Sequence, residues 1–541
     1  MKIYLPISKI VTLIIVALIV AYSFIVATFQ PQYGNPSIYS LHAYIYATEG
    51  NFYFYLNNDI DSLVKYEPGF HTILYVLLLS IFYKFFLFFD FFAENHSLIP
   101  KIFSIFIYSI IALVLNKIFI TFKVENIFNR MLYILGFLSL IVVNFSILMP
   151  TMDPTLTALF LILVFYLFIK NDKVKDVNSI FMLLFLSILT MSTKETTGLI
   201  GLSFLFFYFT IIERRIAIKQ SVIIFITALI LTIAIHNLLS YFFDLNSNLI
   251  LDAFNYHSKD RGFTLHHLFL YIKIVTILFT PLIYLILFKL SSDRGGIKLN
   301  ILLMLIFIAM LVIYAKQGLT HPRYLLAFLP IIYVIVMLNI DKKQKISKVI
   351  YPYSIALIAY FYMLYPDMII SLSAFSKMST KDIITSVFFY LLPFVVAIRF
   401  NLKEILIVFF IFNIYQIINY SGKSYMKYIE HGMHGYKESL SLIRENGDSK
   451  NIISDISGLE YYFRNRVLYP ENPSNYYHSS SFKKFNSDKA DILRLDAVKR
   501  TVNGLNFYLL TKKDSQLEGY VLELFTCVNR VNLDFTMYEC N

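Results

Sequence analysis

The chain of 541 residues is 58% hydrophobic, only 15% of its residues are charged, and its formal net charge is +12. Because a soluble domain carries roughly a quarter of its residues as Asp, Glu, Lys or Arg, this composition argues against a water-soluble fold. The basic residues fall in clusters between apolar segments, which is typical of the cytoplasmic loops of membrane proteins and argues against a nucleic-acid-binding protein.

Apolar segments of the ~20 residues needed to cross a bilayer recur over most of the sequence. The first, from Ile10 to Thr28, follows Lys2 and Lys9 and has no small-residue cleavage site after it, so we expect a retained helix and not a removed signal peptide. Further spanning helices are predicted to begin near residues 100, 131, 154, 178, 197, 220, 266, 300, 324, 348, 382 and 404. Residues 1–420 are therefore predicted to form a mostly α-helical, polytopic domain of about thirteen spans.

The distribution of Lys and Arg predicts how these helices are oriented. Every second connection is basic, and the positive-inside rule places those connections and the N-terminus in the cytoplasm. The clusters are Lys117, Lys123 and Arg130; Lys170, Lys173 and Lys175; Arg214, Arg215 and Lys219; Lys289, Arg294 and Lys298; Lys342, Lys343, Lys345 and Lys348; and Arg399 and Lys403. An odd number of spans then places the C-terminus outside. The apolar segment from Ile73 to Phe89 does not fit this count, so we expect it to be an interfacial or re-entrant helix.

Two predicted outer loops are too long to be simple turns. The first, residues 29–70, contains Ile38, Leu41 and Ile45 at helical spacing, which predicts a short helix on the membrane surface. The second, residues 241–265, carries several charged residues, and a loop of this length is often functional.

The composition turns soluble near residue 420, so residues 421–541 are predicted to form a small extracytoplasmic α/β domain. The expected elements are a helix over residues 436–445 and strands over residues 451–454, 466–469 and 505–510. Cys527 and Cys540 are too few for a cysteine metal cluster. They would pair as a disulfide outside the cytoplasm, and two unrelated thiols are the equally weighted alternative.

Charged side chains gather at four places along the predicted outer face. These are the first loop with Asn35, Glu49, Asp59, Asp61 and Glu67; Asp153, directly before Pro154; Lys194 with Glu195; and His321 with Arg323. Carboxylates and cations at one membrane face suit a reaction on a lipid phosphate, because Lys and Arg bind phosphate and a carboxylate can act as general base. The structural alternatives are that Asp153 caps a helix and that Lys194 and Arg323 extend to the membrane surface.

The same four places resemble the GT-C superfamily of polyprenyl-phosphate-sugar glycosyltransferases, notably the aminoarabinose transferases of lipid A and the protein O-mannosyltransferases. The first-loop segment that closes at Gly50 is similar to the family's surface helix, and Tyr66-Glu-Pro-Gly69 is similar to the proline motif that follows it. The remaining matches are Met152-Asp-Pro-Thr-Leu156 with the second acidic motif, Lys194 and Gly198 with the lysine loop, and Arg323-Tyr-Leu-Leu326 and Pro330 with the late helix start.

This resemblance implies transfer of a sugar from a dolichyl- or undecaprenyl-phosphate donor to an extracytoplasmic lipid, glycan or protein, with inversion at the anomeric carbon. It implies an enzyme of the cell membrane that requires no cofactor, although a divalent cation is compatible with it. The implied catalytic residues are Asp153, Glu67, Glu49 and Asn35, and the implied lipid-phosphate ligands are Lys194, Arg323, His321 and Arg261. The loop that carries His257 and Arg261 is the expected lid over the lipid head group.

One residue departs from the family's pattern and keeps other readings open. The family's first-loop Asp, its general base, falls on Asn35, whose amide cannot accept a proton at neutral pH. Either a carboxylate elsewhere in the loop takes this role, or activity is altered or absent, as in a non-catalytic binding or scaffold protein. A secondary transporter is a further alternative, although transporters have matching halves and charges near the midplane. A related oligosaccharyltransferase is disfavoured because its peptide-binding motif depends on tryptophan, which this chain lacks.

Overall fold

The computed structural model describes residues 35–50, 53–55, 63–65, 73–124, 127–138, 140, 143, 146, 152–242, 297–317, 326–340, 436–446, 450–454, 456, 459–463, 467–468, 506–533 and 535–541. In the N-terminal part these residues are mostly helical. The helices are α1 Asn35–Glu49, α2 Ile73–Phe86, α3 Asp90–Glu94, α4 Ile99–Thr121, α5 Ile127–Leu138, α6 Met152–Lys170, α7 Val177–Thr193, α8 Glu195–Phe207, α9 Ile218–Phe242, α10 Ile297–Gln317 and α11 Leu329–Ile340. Between α1 and α2, the strands β1 Tyr53–Tyr55 and β2 Leu63–Lys65 pair as an antiparallel hairpin.

Helices are present, as expected, near residues 100, 131, 154, 178, 197, 220, 300 and 324. Among the described helices, two are long and apolar enough to span a bilayer, so the spanning of the others stays a prediction. The helices expected near residues 10, 266, 348, 382 and 404 lie outside the described residues. The regular part of α11 begins at Leu329, later than predicted, behind a 3₁₀ turn over residues 326–328. Pro330 explains this start, because proline lacks a backbone N–H and is tolerated only in the first turn of a helix.

Two described helices are long and apolar enough to cross a bilayer. They are His96–Thr121, which includes α4, and Ile218–Leu239 in α9, with mean hydropathies of 2.3 and 2.5. Only 22% of the second segment is buried, and Ile226 and Ile230 are among its exposed side chains, as expected of a helix that faces lipid.

Helix α2 has 14 residues, fewer than a straight bilayer crossing needs, but α5, α8 and α11 are shorter still, so length alone does not distinguish an interfacial or re-entrant segment from a span. Helix α2 packs against α1, α4, α6 and α7. The surface helix predicted in the first loop is also present as α1, and five of its side chains from Tyr39 to Ala43 are buried. The depth of both helices in a membrane stays a prediction.

Side-chain contacts fix the relative directions of the central helices. Phe119 near the end of α4 packs on Tyr133 in the middle of α5, with ring centroids 5.3 Å apart. The ring of Tyr108 in the middle of α4 lies 6.3 Å, centre to centre, from that of Phe137 near the end of α5. Thr157 near the start of α6 bonds to Thr193 at the end of α7 over 3.0 Å. Phe168 near the end of α6 stacks on Phe209, just after α8, with centroids 4.4 Å apart. Thus α4 and α5 are antiparallel, α6 and α7 are antiparallel, and α6 and α8 are parallel.

These directions give the bundle two chemically different ends. The site end contains the starts of α4, α6, α8 and the turn before α11, together with the end of α7. The basic end lies opposite and carries Lys117, Lys123, Arg130, Lys170, Lys173, Lys175, Arg214, Arg215, Lys219 and Lys298. The predicted gathering of the basic connections on one side is therefore confirmed for the described clusters, and its assignment to the cytoplasm stays a prediction.

The C-terminal residues form a small α/β unit, as predicted. Its elements are α12 Tyr436–Glu445, β3 Asn451–Ser454, α13 Glu460–Phe463, β4 Val467–Leu468, β5 Phe507–Lys512, α14 Gln516–Leu524, β6 Cys527–Asn532 and β7 Phe535–Cys540. The sheet order is β4-β3-β5-β7-β6, with β3 parallel to β4 and β5 and the other pairs antiparallel. The proposed boundary between residues 420 and 421 lies outside the described residues.

Cys527 and Cys540 form a disulfide, which confirms the first of the two alternatives for them. They are directly opposite each other where β6 and β7 pair. The bond therefore joins the two ends of the β6–β7 hairpin.

The C-terminal unit contacts the helical bundle through α1. Helix α13 packs against α1, and Tyr462 contacts the apolar cores of both parts. The guanidinium of Arg444 lies 5.3 Å from the centre of the Tyr462 ring. The first-loop helix is thereby held between the bundle and the C-terminal unit.

An ion cluster centred on Glu539 of β7 predicts that the β6–β7 hairpin is sensitive to acid. Glu539 of β7 accepts hydrogen bonds from Lys450 and Arg530, each at 2.6 Å, and these bonds lower the pKa of its carboxyl below the ordinary value of 4.5. A lowered pKa in the folded state contributes stability that is present above pH 4.5 and is lost as the pH falls through the folded-state pKa.

We therefore expect amide exchange of residues 527–540, corrected for intrinsic rates, to accelerate as the pH falls below 4.5, and Glu539→Gln to remove most of this dependence. Glu523→Gln, which changes an exposed carboxylate on α14, is the matched control. Equal pH dependence in the wild type and Glu539→Gln would assign no stabilising role to the cluster.

Candidate functional site

The site end contains a chain of buried polar side chains between α4, α6 and α7. The Tyr108 hydroxyl of α4 lies 2.5 Å from Ser146 Oγ and also hydrogen bonds to Thr155 of α6. One turn of α6 beyond Asp153, Thr157 bonds to Thr193. Buried hydroxyls require partners, and here they join the first turns of α6 to the last turn of α7.

Lys194 occupies the junction between α7 and α8. Its backbone is extended, with φ −156° and ψ 101°, so that α8 starts in a new direction at Glu195. Its side chain is 0% exposed, so the alternative in which Lys194 extends to the surface is wrong. Lys194 interacts with other residues of the protein and is thus a buried, engaged cation.

Three residues close to Lys194 in the sequence carry buried hydroxyl groups. Ser192 is 4% exposed, Thr196 is 6% exposed and Thr197 is 0% exposed. Within the part of the chain that the structure describes, the oxygen atoms of these side chains have no hydrogen-bond partner. An orphaned buried hydroxyl is costly, by roughly 1–3 kcal/mol. The arrangement therefore offers three donors beside a cation at the start of α8, where the helix dipole also favours an anion.

Gly198 permits this junction. A Cβ atom at Gly198 would overlap the carbonyl oxygen of Thr190 and lie 3.1 Å from the Cα of Met191. The Gly198 N–H donates to the carbonyl of Lys194 over 2.6 Å. The first turn of α8 therefore lies directly against the backbone of α7, which is how Lys194 becomes enclosed.

Replacing Gly198 by Ala is expected to push α8 away from α7 and to open the enclosure of Lys194. Since the obstruction is backbone, the expected loss in stability is about 1–3 kcal/mol, partly offset by the better helix propensity of Ala. The thermal unfolding midpoint measures this effect.

Gly201→Ala is the matched control for Gly198→Ala. Its added Cβ meets only side chains, Leu161 at 3.1 Å and Phe328 at 3.2 Å. These side chains can shift, so Gly201→Ala should lower the thermal unfolding midpoint less than Gly198→Ala does. Equal midpoints for the two variants would contradict the backbone argument.

The structure describes some of the predicted site residues and not others. Asp153 is the second residue of α6 and Asn35 the first of α1, with side chains outside the described set. Glu49 ends α1 and is exposed. The predicted residues Asp59, Asp61, Glu67, His257, Arg261, His321 and Arg323 lie outside the described residues.

Described residues close in sequence to Asp153, Lys194 and Arg323 lie near one another at the site end. Thr157, one turn after Asp153, bonds to the residue before Lys194. Phe328, shortly after Arg323, lies against Gly201 in the second turn of α8. The backbone of α6, the α7–α8 junction and the turn before α11 therefore meet at the site end. Helix α1 approaches the same end, since Tyr44 stacks on His96, just before α4, with ring centroids 5.0 Å apart.

Sequence reasoning missed Lys101. It lies in the first turn of α4 at the site end, it is 1% exposed, and it interacts with other residues of the protein. A lysine inside an otherwise apolar segment is costly in a membrane, and this signal was visible in the sequence. Among the described residues, no group of three or more His, Cys, Asp and Glu side chains could hold a metal ion.

Comparisons with known proteins identify the fold. No protein-family model and no curated protein matches the sequence. The structure is similar to the crystal structure of ArnT from Cupriavidus metallidurans bound to undecaprenyl phosphate, with a TM-score of 0.58, 11% identity, and coverage of 99% of this chain and 98% of that chain. The apo state of the same ArnT matches with a TM-score of 0.58, 12% identity, and coverage of 97% of each chain. Over essentially its whole length, the chain therefore has the same fold as that ArnT.

Proposed function

We propose that this protein transfers a sugar from a polyprenyl-phosphate donor to an extracytoplasmic lipid, glycan or protein acceptor, with inversion at the anomeric carbon. The observation that carries the proposal is the enclosed Lys194 beside three orphaned hydroxyls at the start of α8. It gains support from the fold, since the ArnT crystal structure with that fold is bound to undecaprenyl phosphate. The enzyme is proposed to lie in the cell membrane with its site end and C-terminal unit outside.

The first task of such a site is to bind a lipid phosphate. The hydroxyls of Ser192, Thr196 and Thr197 can donate hydrogen bonds to phosphate oxygens, and the Lys194 ammonium supplies positive charge. Their burial lowers the local dielectric and strengthens both interactions. Arg323, His321 and Arg261 are proposed as further phosphate ligands on the strength of the sequence resemblance.

The second task is to move a proton and a sugar. In an inverting transfer, the acceptor hydroxyl oxygen attacks the anomeric carbon, and the bond from that carbon to the donor phosphate oxygen breaks. The hydroxyl proton passes to a carboxylate, and the electron pair of the broken bond leaves with the polyprenyl phosphate. Asp153 is proposed as the base or acceptor-orienting group, because it lies one turn before Thr157, which ties α6 to Thr193 beside the lysine junction.

The first loop is proposed to complete the acceptor side of the site. Asn35 retains the capacity to hydrogen bond but not to take a proton. Glu67 and Glu49 are the proposed carboxylates of this loop. A divalent cation is not required by the proposed chemistry.

The proposal is tested by incubating the purified protein with undecaprenyl-phosphate-linked hexoses and membrane extract, and measuring released undecaprenyl phosphate by mass spectrometry. We expect time-dependent release that requires both protein and extract. Retention of the donor without release, over a panel of hexoses and extracts, would favour the non-catalytic binding protein. Absence of both retention and release would contradict the proposal.

A further inference from the structure

A second cleft lies at the opposite end of the bundle from the proposed active site. It occupies about 510 Å³ between the α6–α7 connection and the α8–α9 connection. Lys173, Lys175 and Arg214 contribute exposed cations to its lining. Ile211 and Ile218 contribute exposed apolar side chains to the same cleft.

The two connections that form the cleft are bound to each other. Val174 N–H donates to the carbonyl of Arg215 over 2.8 Å, and Arg215 N–H donates to the carbonyl of Phe209 over 2.8 Å. The Arg215 guanidinium also donates to the carbonyls of Phe168, Ile169 and Asn171 at 3.1–3.2 Å. Arg215 thus caps the end of α6, and the cleft has fixed walls.

The described acidic side chains beside the cleft each contact a group other than the three exposed cations. Glu213 lies 3.7 Å from Arg215 and 3.6 Å from Lys298. Asp176 accepts a hydrogen bond from the Ser179 N–H over 2.8 Å. Asp172, which is fully exposed, lies 3.9 Å from Arg215. Among the residues that the structure describes, no ion pair neutralises Lys173, Lys175 or Arg214.

Arg214 ends the helical segment before it in a left-handed conformation, with φ 55°, and Lys123 does the same after α4, with φ 59°. This is a common way for a helix to end, so it does not itself indicate a binding site. The positive-inside rule accounts for the basic residues in this connection, but it does not account for a cleft between two connections that are hydrogen bonded to each other.

We propose that this cleft binds the phosphate head group of an anionic phospholipid. The exposed cations suit a phosphodiester, and the cleft lies at the end of helices whose exposed side chains, such as Val222 and Ile223 of α9, are apolar. Ile211 and Ile218 can contact the first methylene groups of the acyl chains while the head group meets the cations. A soluble anion would gain nothing from this apolar rim.

Native mass spectrometry of the full-length protein with phosphatidylglycerol and with phosphatidylcholine tests the proposal. Wild type is expected to retain phosphatidylglycerol in preference to phosphatidylcholine. Lys173→Gln together with Lys175→Gln should weaken phosphatidylglycerol retention about tenfold or more. Lys117→Gln together with Lys123→Gln removes the same charge from the same end, outside the cleft, and should leave retention nearly unchanged.

Three results would overturn the proposal. If both double variants weakened phosphatidylglycerol retention equally, the lipid would be attracted by the overall charge of the basic end and not by the cleft. Equal retention of phosphatidylcholine, whose head group is zwitterionic, would mean that the net negative charge of the head group plays no role. Displacement of phosphatidylglycerol by inorganic phosphate at equal concentration would assign the cleft to a soluble anion. All four lysines are exposed, so the variants should fold, and a shared thermal midpoint verifies this.

Discussion

Asp153→Asn is expected to abolish sugar transfer while leaving donor retention nearly intact. The substitution keeps the size and hydrogen-bonding capacity of the side chain but removes its ability to accept a proton. Loss of a general base typically costs about 10²- to 10⁴-fold in rate. The measurement is the initial rate of undecaprenyl phosphate release at saturating donor.

The matched control for this variant is Asp172→Asn. Asp172 is a fully exposed carboxylate at the basic end, and its weak contact with Arg215 contributes little stability. The Asp172→Asn variant should therefore release undecaprenyl phosphate at the wild-type rate. Wild-type turnover in Asp153→Asn would remove Asp153 from the mechanism.

Lys194→Met is expected to weaken donor binding by roughly 10- to 100-fold, the loss of one charge-assisted hydrogen bond of about 1.5–3 kcal/mol. Methionine keeps the aliphatic length of lysine without the ammonium. Because Lys194 is buried and interacts with other residues, the thermal midpoint is expected to fall as well, so the donor Kd is the deciding measurement. A purely structural lysine would leave the Kd for the donor unchanged.

Lys194→Arg separates charge from shape in the same experiment. It preserves the positive charge but enlarges a side chain that is 0% exposed. If charge is what matters, donor affinity should recover in part, at a cost in stability from overpacking. Donor affinity as poor as that of Lys194→Met would mean that the enclosed geometry, and not the charge, binds the phosphate.

The sequence predicted the helix starts well because hydrophobic periodicity and charge both change there. Helix α6 begins at Met152, close to its predicted start, because Asp153 and Pro154 mark a helix beginning. The strand predicted over residues 505–510 appears as Phe507–Lys512. A continuous apolar segment does not mark its own ends, so this shift was not predictable.

The interior of the site was less predictable. Lys194 was identified because a charge in an apolar segment is costly, and Lys101 gave the same signal but was overlooked beside Pro100. The hydroxyls of Ser192, Thr196 and Thr197 carried no such signal, since Ser and Thr are common in apolar helices. Which of them become enclosed depends on how closely two helices approach, and periodicity within one helix does not encode that distance.

In the C-terminal unit, too, some features were predictable from the sequence and others were not. Strands β3, β4 and β5 were predicted from short apolar segments, whereas β6 and β7 were not, and the pairing of Cys527 with Cys540 required their register. The contact of Tyr462 with α1 could not be inferred at all, because it joins segments more than 400 residues apart in the sequence.

Photo-crosslinking with a polyprenyl phosphate that carries a diazirine near its phosphate tests most directly where the donor binds. The labelled peptides, identified by mass spectrometry, are predicted to come from the start of α6 and from residues 190–201 around the lysine junction, and excess undecaprenyl phosphate should suppress the labelling. Labelling confined to residues 170–176 and 213–220, at the basic end, would contradict the assignment of the active site.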